Sequence, residues 1–277
     1  MAKTSLCVTS STIGRVAKTI ITPLRQWFEA MFGKLFSKAT ATNEGGKPRY
    51  YAVGDIHGCV EELGRLLGAI DVDAETANDD APSFLIFLGD YVDRGPDSRG
   101  VIDRLIALRA GRSHIRFLKG NHEAALLDFL ENPRKGAAWL DWGGAETLES
   151  YGLADVTVRD EADLAEEFRR RLPAEHLAFL NALETRFETE DVFFVHAGIK
   201  PGVPLAEQAE NDLLWIRGEF HSAPVGKRPE KTIVHGHHPV KKPQDAGWRI
   251  NVDTGACWTG KLTAVVIEGK SRRFLST

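Results

Sequence analysis

Apolar positions along the 277 residues follow two different rhythms. In the first, Leu24, Trp27, Phe28, Met31, Phe32, Leu35 and Phe36 recur at i, i+3, i+4, i+7 spacing just after Pro23, which predicts an amphipathic helix. The polar stretch Ala39 to Lys47, with Gly45 and Gly46, then reads as a linker. From Arg49 onward, short apolar runs alternate with helical stretches. Strands are predicted at Tyr50–Val53, Phe84–Leu88 and Ile115–Leu118, with helices after them near Val60–Ile70, Val101–Ala110 and Glu123–Glu131. Residues 132–183 break this rhythm with Trp139, Trp142, Gly143, Gly144 and two helical segments on either side of Pro173, and read as a helical insertion. Strands return at Val192–Val195, Thr232–Val234, Arg249–Val252 and Leu262–Ile267. The alternation predicts an α/β fold with helix-covered sheets. The expected organisation is an extension over 1–46 followed by one domain over 47–277.

Five of the predicted strands run directly into side chains that bind metals. Tyr50–Val53 leads to Asp55 and His57, and Phe84–Leu88 to Asp90. Ile115–Leu118 leads to Asn121 and His122, Val192–Val195 to His196, and Thr232–Val234 to His235, His237 and His238. Loops at strand ends of α/β folds converge on a rigid scaffold, so these groups are expected to meet. Asp55 and His57 are two positions apart, which on an extended backbone points both the same way. Imidazole, carboxylate and amide ligands without a thiolate suit manganese, iron or zinc.

Composition alters this picture little. A hydrophobic share of 43% and a charged share of 27% are those of an ordinary globular chain. The net charge of −4 gives no reason to expect a nucleic-acid partner. Bound metal ions can supply local positive charge without an overall basic chain. Cys7, Cys59 and Cys257 form no CxxC pair, and so sparse a set fits a reducing, cytoplasmic setting. No apolar run approaches the ~18 residues of a membrane span, and no unbroken apolar stretch marks a secretory signal. Residues 1–46 hold six basic side chains against two acidic ones. With their aromatic face, residues 24–36 are candidates for peripheral membrane contact, for packing on the main domain or for organelle targeting.

The motifs GDIHG (54–58), GDYVDRG (89–95), GNHE (120–123), HAG (196–198) and GHHP (236–239) resemble, in order and spacing, the phosphoprotein phosphatase branch of the metallophosphoesterases. The likeness runs from about Tyr50 to Gly269. It implies a β-sandwich flanked by helices with two divalent metals, manganese foremost, at the strand ends. By motif, Asp55 and His57 would bind one metal, Asp90 would bridge both, and Asn121, His196 and His237 would bind the second. His122 would be the general acid, oriented by Asp93, while Arg94 and Arg217 (in LLWIR) would clamp the phosphate. The implied reaction is direct attack on a phosphomonoester by metal-bound hydroxide, with phosphoserine or phosphothreonine in proteins as substrate.

Two motifs depart from the eukaryotic pattern: HAG replaces HGG, and His238 stands where threonine is usual. Both departures look bacterial. GDIHGC and the segment Asp253–Trp258 also resemble the symmetrical diadenosine tetraphosphatases, so hydrolysis of a dinucleoside tetraphosphate is the competing expectation. Glu123 reads only as an acidic residue in the first turn of a helix. Cys59 reads as a small buried residue, and Trp139 and Trp142 as packing of the insertion.

Overall fold

The structure is a computed structural model that describes residues 47–76 and 81–277. The predicted N-terminal helix, its membrane-contact segment 24–36 and the linker up to Gly46 lie outside the described residues. Ten strands form two five-stranded sheets among the described residues. The first contains β1 (Arg49–Val53), β2 (Ser83–Phe87), β3 (Ile115–Phe117), β9 (Thr263–Glu268) and β10 (Ser271–Ser276), in the order β10-β9-β1-β2-β3. The second contains β4 (Arg186–Glu188), β5 (Val192–Val195), β6 (Thr232–His235), β7 (Gln244–Asp245) and β8 (Arg249–Asn251), in the order β4-β5-β6-β8-β7. Each sheet has a run of three parallel strands: β1-β2-β3, with antiparallel β9 and β10 on one side of it, and β5-β6-β8, with antiparallel β4 and β7 flanking it.

The two sheets share one apolar layer. Ala52, Ile86, Leu88 and Val265 come from the first sheet and its strand ends, and Phe194, Val234, Ile250 and Val252 from the second, in a single buried cluster. The other faces of the parallel strands are also buried, at Tyr51, Val53, Phe87, Phe193 and Val195. Burial on both faces explains why these strands read as unbroken apolar runs rather than alternating ones. Helices flank the sandwich, including α1 (Val60–Thr76), α2 (Ser98–Gly111) and α3 (Asn121–Glu131). Leu63, Leu66, Leu67 and Ile70 form the buried stripe of α1 at helical spacing. Asp97 caps α2 by accepting the Gly100 N–H at 2.7 Å, which ties the preceding loop to the helix.

Between α3 and β4 the chain is helical: α4 (Pro133–Gly136), a π-turn over Leu140–Gly144, α5 (Ala145–Ser150), α6 (Glu161–Arg171) and α7 (Ala174–Asn181). Trp139 anchors this segment, buried between Phe129 and Phe168. The main strands match expectation within about a residue. The first helix runs six residues beyond its expected end at Ile70. Three strands escaped the sequence pattern. β4 and β7 are three and two residues long, too short for a period to register, and β10 carries Arg272 and Arg273 on an edge. Among the described residues, no helix is long and apolar enough to cross a membrane.

Candidate metal centre

Strand register places the chemistry. Val53 pairs with Phe87, and Phe87 with Phe117, so the first three parallel strands stop in line. In the second sheet Phe194 pairs with Val234 and Val234 with Ile250. The loops that follow therefore open along one edge of the sandwich. The Ile56 and His57 N–H groups both donate to the Asp90 carbonyl at 2.9 Å, and Gly236 N–H donates to the His196 carbonyl at 2.8 Å. A side chain at Gly236 would place its Cβ 2.0 Å from Asp55 Oδ1, so only glycine lets this loop pass the carboxylate.

Six non-glycine residues among those described have positive φ, and five are candidate site residues: His57, Asp90, Asp93, Arg94 and His237. This conformation is costly for ordinary side chains and persists where surroundings over-determine it. It also corrects one expectation. His57, with φ 46°, is not on extended backbone, so spacing alone does not aim it with Asp55.

Two groups of ligand atoms converge, each within 4.8 Å: His57 with Asp90 and His122, and Asp90 with His196 and His237. Asp90 belongs to both. Its Oδ2 lies 3.5 Å from His57 Nε2, and its Oδ1 lies 3.4 Å from His196 Nε2. Asn121 Oδ1 lies 2.9 Å from His196 Nε2 and 2.8 Å from His237 Nδ1. His57 Nδ1–H donates to the Val92 carbonyl at 2.8 Å and His196 Nδ1–H to the Leu88 carbonyl at 3.0 Å, which leaves both Nε2 atoms aimed inward.

Asp55 stands apart from both groups. Its oxygens accept the His237 N–H at 3.2 and 3.0 Å, and Asp253 lies beside it. Asp253 is named from the sequence only as part of the segment Asp253–Trp258, not as a candidate ligand. It follows β8, and the same strand-end rule that selected the others would have found it. His235 and His238 fall outside both groups. His235 is buried edge-on against Phe220, and His238 packs on His221.

The electrostatics suit a cation. Burial lowers His57 to about 3 and His237 to about 2, with His196 adding to the effect on His237, so both are neutral imidazoles. Burial raises Asp55 well above the carboxylate range, and the charges of Asp253 and Asp90 raise it further. Asp253 is likewise pushed up by burial, to about 6. The His237 Nε2 atom is buried with no hydrogen-bond partner. Neutral imidazoles, an amide oxygen and crowded carboxylates present lone pairs to one another, and a divalent cation would satisfy them.

Within the first of these groups, His122 Nδ1–H donates to Asp93 Oδ2 at 2.6 Å. Burial lowers the His122 pKa, but the charges of Asp90 and Asp93 outweigh it and leave a net rise. Arg94 bridges the two imidazoles, donating to His57 Nε2 at 2.6 Å and to His122 Nε2 at 2.8 Å. Arg217 is exposed, and its charge contributes, after burial, to the lowered pKa of both His196 and His237.

Glu123 does far more than open a helix. It is fully buried, and its oxygens accept the N–H groups of Asp90 (2.9 Å), Gly120 (2.9 Å), Tyr91 (2.7 Å) and Val92 (3.2 Å). One carboxylate thus clamps the β2 loop to the start of α3. The GNHE motif held this residue in view, but three of its four partners lie about thirty positions earlier in the chain. Cys59 is buried, and burial pushes its thiol up to about 12, which disfavours the thiolate.

Paired mixed sheets whose strand ends gather imidazole and carboxylate into one buried cluster describe a metal-dependent hydrolase. The chain belongs to the calcineurin-like phosphoesterase family, which its residues 48–265 match. Among curated proteins it is similar to bis(5'-nucleosyl)-tetraphosphatase PrpE [asymmetrical] of Bacillus velezensis, 29% identical over 77% of this chain and 87% of the relative. The protein of the same name from Oceanobacillus iheyensis is 28% identical over 76% of this chain and 86% of the relative. The fold resembles that of a putative diadenosine tetraphosphatase (TM-score 0.58, 24% identity, 85% of this chain and 96% of that one). It also resembles a serine/threonine phosphatase from Saccharomyces cerevisiae (TM-score 0.53, 13% identity, 84% and 81%).

Proposed function

We propose that this metallophosphoesterase hydrolyses phosphomonoesters, with phosphoserine and phosphothreonine in proteins as its substrate class. The observation that carries the reading is the His122–Asp93 pair at 2.6 Å, with His122 at the rim of the ligand cluster against His57 and Asp90. A serine or threonine alkoxide is a poor leaving group and needs a proton, whereas a nucleotide leaves from an anhydride with far less help. A buried imidazole held by a carboxylate is the group such a leaving oxygen requires. Two divalent cations, manganese foremost, would be held by Asp55, His57, Asp90, Asn121, His196 and His237 within a catalytic domain over 47–277. When bound they would offset phosphate charge and make a shared water acidic enough to attack near neutral pH. Arg94 and Arg217 supply guanidinium forks for the phosphate oxygens. His122 protonates the departing oxygen, and Asp93 holds its ring.

A second reading has its own support. The PrpE relatives are named as dinucleoside tetraphosphatases. Trp258 is 63% exposed and lies 5.2 Å from the Arg94 guanidinium. A cavity of about 510 Å³ opens on Trp142 and Trp215. Exposed indoles are surfaces on which nucleobases stack. Purified protein with manganese, given a phosphopeptide and diadenosine tetraphosphate side by side, separates the two. A higher kcat/KM for the phosphopeptide is expected, and faster turnover of the dinucleotide would replace the first reading with the second.

A further inference from the structure

Two side chains of the helical segment between α3 and β4 reach Asp93. Trp139 Nε1–H donates to Asp93 Oδ2 at 2.7 Å, the same oxygen that receives His122 Nδ1–H. The Thr147 hydroxyl donates to Asp93 Oδ1 at 2.6 Å. Thr147 also accepts the Asp93 backbone N–H at 2.9 Å, and Ser98 accepts it at 3.0 Å. A hydroxyl has one proton, so with that of Thr147 spent on Asp93 the 2.9 Å contact between Ser98 and Thr147 must be donated by Ser98. Asp93, Trp139 and Thr147 are all buried, with no water-facing edge to compete.

We propose that Trp139 and Thr147 are positioning residues for the proton donor: they fix the Asp93 carboxylate so that the His122 imidazolium keeps its Nδ1–H on Asp93, turns its Nε2–H to the leaving group and gives up that Nε2 proton as the bond to phosphorus breaks. The inference rests on the reading of His122 as the proton donor. An indole N–H is a donor only, so Asp93 Oδ2 must present a lone pair to it and stays an acceptor toward His122. Thr147 holds the other oxygen, so the carboxylate plane does not rotate. Burial alone raises the Asp93 pKa, and the bonds from His122, Thr147 and Trp139 each act against that rise. Phe129 and Phe168 pack the indole from its sides, which makes the helical segment the fixed point from which the donor is aimed.

The test is the dependence of turnover on the leaving group. Thr147→Val removes one donor with little change of volume, Trp139→Phe removes the other while keeping an aromatic ring between Phe129 and Phe168, and Thr147→Ser restores the hydroxyl. Each variant, loaded with manganese and checked for metal content, is assayed on phenyl phosphate and on 2,4-dinitrophenyl phosphate, whose phenolate needs no proton. Both variants are expected to lose about tenfold on phenyl phosphate, part of the roughly hundred- to ten-thousand-fold that a general acid supplies, and to lose less than about twofold on the dinitrophenyl ester. Thr147→Ser is expected to recover most of the loss. Equal losses on both esters would mean that the two residues merely support the fold, and would overturn the proposal. His122→Ala is run alongside as the control for the underlying reading. If it loses activity equally on both esters, His122 is not the proton donor and both readings fall. If it is selective while the Trp139 and Thr147 variants are not, only the positioning role fails.

Discussion

At the scale of single residues, the site depends on carboxylates in two different kinds of place. Asp90 touches both groups of ligand atoms, so it has no substitute. Asp90→Asn keeps the shape and removes the charge. Metal content measured by plasma emission is expected to fall below half, and turnover by more than about a hundredfold, the loss typical of groups only one step removed from a metal. Full metal content with full turnover would remove Asp90 from the bridging role. Glu123 never meets the ligand cluster with its carboxylate, yet four backbone N–H groups depend on it. Burial and the charge of Asp90 push its pKa up to about 7, and the bonds from Gly120 and Tyr91 pull it back. Glu123→Gln would turn an NH₂ toward two of those donors. A loss of about 3 kcal/mol in urea unfolding is expected, and an unchanged midpoint would show that the loop holds itself.

At the scale of elements, the helical segment between α3 and β4 is attached to the site by more than its two donors. The Arg94 N–H donates to the Gly143 carbonyl at 3.2 Å, and Gly143 has φ 107° within the π-turn. A Cβ there would lie 2.5 Å from the Arg94 backbone nitrogen. Gly143→Ala therefore strains the turn and displaces the arginine that bridges His57 and His122. A fall of about a hundredfold in kcat/KM is expected from a displacement of this kind. Kinetics indistinguishable from the parent would mean that the turn yields without moving Arg94.

At the scale of the whole molecule, the sandwich brings together groups that repel one another. Asp55, Asp90 and Asp253 are buried side by side, and beyond burial the charge of Asp90 raises the pKa of both Asp55 and Asp253. A bound cation removes that cost in the folded state alone, so metal and fold are thermodynamically linked. At a free metal concentration a hundredfold above Kd, the linkage is worth about 2.7 kcal/mol. For a domain of this size that corresponds to roughly 5–10 °C in Tm. Calorimetry after chelation is expected to show a drop of that order, reversed by manganese. An unaltered Tm would mean that the carboxylates are neutralised by protons or arginines instead.

From the sequence alone come the candidate ligands and the strands that carry them. Apolar runs buried on both faces, each followed by glycine and a ligand type, are local patterns. Local patterns survive in one dimension, so Asp55, His57, Asp90, Asn121, His122, His196 and His237 could all be named without coordinates. Tertiary structure decided what depends on register and on distant pairing. It showed that His237, rather than His235 or His238, turns toward Asn121 and His196, because β6 ends in buried sheet and the left-handed turn follows it. It put Asp253 beside Asp55. It made Glu123 a clamp with three of its four partners about thirty residues away, and it put Trp139 and Thr147, read from sequence as packing or not at all, onto the carboxylate that holds His122. Hydrogen bonds between residues far apart in the chain leave no periodic trace, and only the folded geometry reveals which donor meets which acceptor.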